Sequence, residues 1–178
     1  MHPRITDIVV GMFSWMLGGY FAGLTIGFMV FDPDLDVWAL LGAVLAIAGL
    51  LLGILPAFRR RAVLVLTSVA GFFAGMFVGL LLFSDVMHDG MIEALQNPAS
   101  AVLTLAGAVI GLIAGIRFEL ARFRVPLFAF VMGAFFTPLL LIVVLGEQPA
   151  GGLLLLVIIS GVAWGGLALA LQNRSGQT

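Results

Sequence analysis

The chain alternates between long uncharged runs and short polar clusters. Apolar residues dominate 8–31, 37–55, 62–83, 99–116, 125–146 and 150–171, and charged side chains are confined to the stretches between them. The runs do not alternate apolar with polar residues, which excludes the strands of a membrane barrel. Each has roughly the length that crosses a ~30 Å hydrocarbon core at 1.5 Å per residue. Only helices satisfy their own backbone hydrogen bonds while facing lipid on this scale. The pattern predicts an all-α membrane protein of six transmembrane helices, a single transmembrane domain over 1–178 with hairpins at approximately 8–56, 62–116 and 125–171.

One phrase recurs in these hairpins. In Ala70-Gly71-Phe72-Phe73-Ala74-Gly75-Met76-Phe77-Val78-Gly79, glycine returns at every fourth position. The same phrase stands earlier as Gly19-Tyr20-Phe21-Ala22-Gly23-Leu24-Thr25-Ile26-Gly27, and a degraded copy follows as Gly133-Ala134-Phe135-Phe136-Thr137-Pro138. On a helix, Gly71, Gly75 and Gly79 form one flat stripe where a neighbouring backbone can approach closely, the usual way helices associate in lipid. Gly49 and Gly53, then Gly107, Gly111 and Gly115, then Gly161 and Gly165 supply small residues on the second helices. The stripes are read as helix packing rather than as the thinned wall of a pore, with Gly23, Gly75, Gly111 and Gly161 near helix crossings.

The connections alternate in charge. Arg59, Arg60 and Arg61 follow the second run, Arg117, Arg122 and Arg124 follow the fourth, and Arg4 and Arg174 sit near the ends. The remaining connections carry Asp32, Asp34 and Asp36, then Asp85, Asp89 and Glu93, then Glu147. Arginine excess marks the cytoplasmic side, so both termini are expected inside. The hairpins would then share one orientation about an axis along the membrane normal, unlike the inverted repeats of many alternating-access transporters. The first run exceeds a signal-peptide core and its second half recurs later, so it is read as a spanning helix. Arg59, Arg60, Arg61, Arg117, Arg122 and Arg124 lie within reach of anionic headgroups, each worth about 1 kcal/mol beside a charged leaflet. Glu119 and Arg122 are spaced as a helical pair, which would carry the fourth helix beyond the membrane.

Composition sharpens the picture. The 178 residues are 62% hydrophobic and 10% charged, with mean hydropathy +1.23, more apolar surface than a water-soluble domain can cover. Without cysteine there is no disulfide, iron–sulfur cluster or thiol nucleophile. All eight basic residues are arginine, a usage that fits a GC-rich genome, and the expected location is a prokaryotic cytoplasmic membrane. No Asp, Glu, Lys, Arg or His falls inside any predicted span, which disfavours proton-coupled pumps and voltage sensors. Nor can those spans assemble an acid–base pair or an activated nucleophile, so neither an enzyme nor a cofactor is expected.

The outer connections hold the metal candidates. Asp32-Pro33-Asp34-Leu35-Asp36 matches the opening ligands of a calcium loop but lacks the following glycine and the distant glutamate. Asp85, Asp89 and Glu93 share one face of an expected interfacial helix, with His88 adjacent. Asp32, Asp34, Asp36, Asp85, His88 and Asp89 could bridge a divalent cation. A solvated acidic rim is the simpler reading. Within the fifth run, Pro138 frees the carbonyl of Ala134. Beside Thr137 that carbonyl marks either a kink or a point on a conduction path.

Gly49-x3-Gly53, Arg59 and Gly71-x3-Gly75-x3-Gly79 resemble the pattern of a multi-pass family of unknown biochemical activity that includes Wnt-pathway transmembrane scaffold proteins of animals. The resemblance implies repeated glycine-rich hairpins joined by arginine turns, and carries no catalytic residue. Two functions follow as expectations. One is a non-catalytic membrane subunit or scaffold, packed with itself or with partners and anchored by anionic lipid. The alternative is a channel or facilitator for a small solute or cation, drawn to the acidic outer mouth.

Overall fold

The computed structural model describes residues 5–30, 35–83, 98–118, 120–145 and 150–175. All secondary structure among them is helical. The α-helices are α1 (Ile5–Val30), α2 (Leu35–Ile54), α3 (Pro56–Arg60), α4 (Ala62–Phe83), α5 (Pro98–Arg117), α6 (Arg124–Leu145) and α7 (Ala150–Ser175). A 3-10 turn, Leu120–Phe123, precedes α6. Four segments are long and apolar enough to cross a membrane: Ile5–Gly27, Ala62–Phe83, Pro98–Arg117 and Leu155–Asn173. Ala39–Ile54 and Arg124–Thr137 are shorter apolar helical segments.

Proline decides where one of these helices stops and where another can begin. The residue before a proline is pushed out of the helical region, and Leu55 is extended at φ −69°, ψ 133°. α2 therefore ends at Ile54, and Pro56 opens α3, a position where its missing N–H costs nothing. The hydropathy pattern alone does not reveal α3; Pro56 at its first turn is its sequence signal. The second case corrects an expectation: the fourth spanning run does not continue as a helix through Arg122. α5 ends at Arg117 and the chain turns through Leu120–Phe123 before α6 begins. A continuous helix would set the Pro126 ring against the carbonyl of residue 122. Starting α6 at Arg124 places that proline in the first turn, where the clash disappears.

Each long helix packs most extensively on its neighbour in the chain: α1 on α2, α4 on α5, and α6 on α7. The pairs are antiparallel. Along α1 and α2, Gly53 meets Gly11, Gly49 meets Trp15, and Gly23 meets Gly42. Along α4 and α5, Gly79 meets Ser100, Gly75 meets Leu103 and Gly107, and Gly111 meets Thr67. Along α6 and α7, Gly133 meets Trp164 and Gly165 meets Phe130.

The first helix of every pair turns inward. Val10, Leu17 and Phe21 of α1, Leu66 and Val69 of α4, and Val131 of α6 form the central buried cluster. The second helices face outward, exposing Leu40, Val44 and Ile47 on α2, Val109, Ile110 and Ile113 on α5, and Ile159, Val162 and Leu167 on α7. Large aliphatic side chains standing outward all along three helices suit lipid, where the solvent is as apolar as they are. Cohesion in such surroundings comes from dispersion between closely fitted surfaces, which is what the glycines permit.

Candidate functional site

Several glycines stand at close range to a facing helix. A Cβ on Gly23 would stand 2.7 Å from Gly42 Cα, and one on Gly53 would stand 2.5 Å from Met12 Cα. A Cβ on Gly19 would strike the carbonyl of Leu45, and one on Gly49 that of Trp15. On the second pair, Gly71 and Gly75 face Gly107 and Gly111, with a Cβ on Gly71 meeting Gly111 Cα at 3.0 Å and a Cβ on Gly75 meeting Gly107 Cα at 3.1 Å. Gly79 abuts Ser100, Gly115 abuts Thr67, and Gly27 is buried. The third pair follows another rule. Gly133 receives the Trp164 ring, while Gly161 and Gly165 receive Phe130. There glycine makes room for an aromatic side chain rather than for a facing backbone.

The aromatic halves of the repeated phrase meet on the axis between α1, α4 and α6. Phe21 lies with its ring centroid 5.1 Å from those of Phe72 and Phe73 and 5.5 Å from that of Phe135; Tyr20 reaches Phe135 at 5.9 Å. Edge-to-face geometry dominates these contacts, the arrangement aromatic quadrupoles prefer. Toward the end where α1 begins, Leu17, Leu66 and Val131 fill the same axis at 0–2% exposure. The sequence signal for this junction is the pair of aromatics within each copy of the repeated phrase.

Hydroxyls on the inner helices are turned back onto backbone. Ser14 donates to the Val10 carbonyl, Thr25 to that of Phe21 and Thr67 to that of Val63. Ser68 instead crosses from α4 to the Ala108 carbonyl of α5 at 3.0 Å. On α5, Ser100 differs: its Oγ is buried and has no hydrogen-bond partner among the described residues.

The described arginines gather at the end of the bundle where α1, α4 and α6 begin. At the α3 corner the Trp15 indole N–H donates to the Phe58 carbonyl at 2.8 Å, and the two rings meet edge-on at 5.2 Å. This contact holds the corner against α1. The aliphatic stem of Arg59 covers Gly11, whereas Arg60 and Arg61 are exposed. Arg117 is exposed at the end of α5. Arg124 forms an ion pair with Asp7, tying the start of α6 to the first turns of α1. The side chain of Arg122 lies outside the described residues.

Beside this basic rim a groove of about 750 Å³ separates the α1–α2 pair from the α4–α5 pair. Ala22 and Ile26 of α1, Ala48 and Leu52 of α2, and Ser68 of α4 border it, and Arg61 stands at one end. No single stretch of sequence signals this groove, because it arises between hairpins rather than along one.

The remaining candidates are only partly placed. Asp32, Asp34, Asp85, His88 and Asp89 lie outside the described residues, as does the expected interfacial helix, and the Asp36 side chain is likewise not described. No cluster of metal-ligating side chains occurs among the described residues. α6 runs on through Thr137 and Pro138, with Thr137 half-buried and the Pro138 side chain outside the description.

These features define a membrane-embedded helical protein with at least four apolar helices of spanning length. No protein-family model, curated protein or solved structure matches the chain.

Proposed function

We propose that this protein is a non-catalytic membrane subunit or scaffold. It consists of six spanning helices in three like-oriented hairpins, with both termini on the cytoplasmic side, and it associates with itself or with partner proteins in the bilayer. The observation that carries this reading is the filled axis: a solute path between the inner helices would have to part Phe21, Phe72, Phe73 and Phe135. The inner hydroxyls of Ser14, Thr25 and Thr67 donate to backbone carbonyls of their own helices, so none offers a free donor to a passing solute. The outward apolar faces of α2, α5 and α7 leave ample surface for neighbouring helices. The long α1, about 39 Å at 1.5 Å per residue, exceeds the ~30 Å core; this supports Asp7 projecting into the interface to meet Arg124.

The test is chemical cross-linking of the protein in its native membrane, paired with flux measurements on proteoliposomes. The proposal expects cross-linked oligomers or a defined complex, and no permeability to common ions or small neutral solutes. A strictly monomeric, partnerless protein would contradict it, as would saturable flux.

A further inference from the structure

We propose that the groove between the α1–α2 and α4–α5 pairs is a binding site for one anionic phospholipid, an acyl chain lying along the groove and the phosphate held by Arg61. This goes beyond the scaffold reading and does not depend on it.

The walls select for hydrocarbon. The polar side chains that border the groove besides Arg61 have their donors engaged within the protein: Trp15 with Phe58 O at 2.8 Å, Thr25 with Phe21 O at 2.7 Å, and Ser68 with Ala108 O at 3.0 Å. A polar occupant would lose water there and find no free side-chain donor other than Arg61, an unfavourable exchange in apolar surroundings. An alkyl chain loses nothing.

Depth adds a second constraint. Along α4 the groove runs from Arg61, just before the helix, to Phe72, about 16 Å at 1.5 Å per residue. Half of a ~30 Å hydrocarbon core is about 15 Å. The groove is thus one leaflet deep, and its arginine stands at headgroup level when the opposite end reaches the bilayer middle. Its volume of about 750 Å³ lies in the ~300–1,000 Å³ range of sites that enclose a small molecule, room for one acyl chain while the rest of the lipid stays in the bilayer.

Charge supplies the third. Arg61 is exposed, and no acidic side chain among the described residues pairs with it. Arg124, by contrast, is engaged by Asp7, and Arg59 is folded over Gly11. Of the arginines at this corner, Arg61 alone borders the groove. The rim stays open to the surrounding bilayer through Ile26, Leu52 and Leu112, which are 47%, 36% and 39% exposed, so a lipid can enter sideways without unfolding either hairpin.

The experiment is native mass spectrometry of the full chain released from micelles containing equimolar dioleoyl phosphatidylglycerol and dioleoyl phosphatidylcholine, scored on the monomer peak. That peak reports bound lipid whether or not the protein self-associates, so failure of the scaffold reading would appear separately as missing oligomers. Wild type should retain one phosphatidylglycerol in preference to phosphatidylcholine. Arg61→Gln should lower that preference about fivefold, the effect of one arginine beside an anionic headgroup. Arg60→Gln, off the groove, should leave it unchanged. Ala48→Phe and Ala22→Phe each project a ring into the open groove from an exposed position, and should remove retention of both lipids. Equal retention of the two lipids by wild type would overturn the proposal. So would matching behaviour of Arg61→Gln and Arg60→Gln, or lipid retention that survives both phenylalanine variants. Loss of dimers rather than of lipid in those variants would also overturn it, assigning the groove to a second copy of the chain.

Discussion

Gly75→Ala tests the packing of the α4–α5 pair directly. The added Cβ would lie 3.0 Å from the Leu103 carbonyl carbon, closer still to its oxygen, and 3.1 Å from Gly107 Cα. All three neighbours are backbone, so no rotamer change can relieve the contact. To regain the 3.4–4 Å of ordinary van der Waals contact, α4 and α5 must separate as rods, and the adjoining Gly71–Gly111 and Gly111–Thr67 contacts loosen with them. Overpacking of this kind costs about 1–3 kcal/mol, while alanine returns up to about 1 kcal/mol of helix propensity over glycine. The expected net destabilisation is about 1–2 kcal/mol. Gly166→Ala is the matched control, because a Cβ there meets nothing within 4 Å. It should be neutral or stabilise by about 0.5–1 kcal/mol from propensity alone. Reversible unfolding in mixed micelles, followed by circular dichroism, should separate the two variants by about 2 kcal/mol, roughly thirtyfold in the unfolding equilibrium. Equal stabilities would refute the claim that glycine is present for backbone approach.

Three further substitutions probe other contacts in the same assay. Phe21→Ala removes the ring at the centre of the aromatic junction and should cost about 3–5 kcal/mol; a loss under 1 kcal/mol would show the axis is not held there. Trp15→Phe deletes the donor to the Phe58 carbonyl and should cost about 1 kcal/mol, with faster proteolysis at the α3 corner as a second readout. Ser100→Ala removes a buried hydroxyl that has no partner, so it should be neutral or stabilise by about 1 kcal/mol, and clear destabilisation would reveal a missing bond.

Much of this arrangement was legible in the chain because two of its causes are local. The absence of charge from 62–83 matches α4, Ala62–Phe83, and the fourfold glycine spacing located the faces that meet Gly107 and Gly111. Pro56 and Pro126 also carry local information: each stands in the first turn of the helix it opens, whereas nothing local to Arg117 states that the preceding helix ends there. What stayed hidden depends on how hairpins sit beside one another. Phe21, Phe72 and Phe135 are far apart in sequence, and nothing at any one of them states that the three share an axis. The groove is hidden for the same reason: Arg61 reads as one of three adjacent arginines until α1 and α2 are placed next to it. In the third pair, Gly161 and Gly165 read like the other stripes, yet they accommodate Phe130; spacing identifies a small face without saying what fills it.

Side-specific labelling tests the proposed six-span arrangement most directly. The chain lacks cysteine, so single substitutions can be introduced one at a time at Arg60, Arg117, Asp34, Asp89 and Glu147 and exposed to a membrane-impermeant maleimide on intact cells. The account predicts that cysteines at Asp34, Asp89 and Glu147 react from outside, while those at Arg60 and Arg117 react only after the membrane is opened. An arginine position and an acidic position labelled from the same side would contradict it.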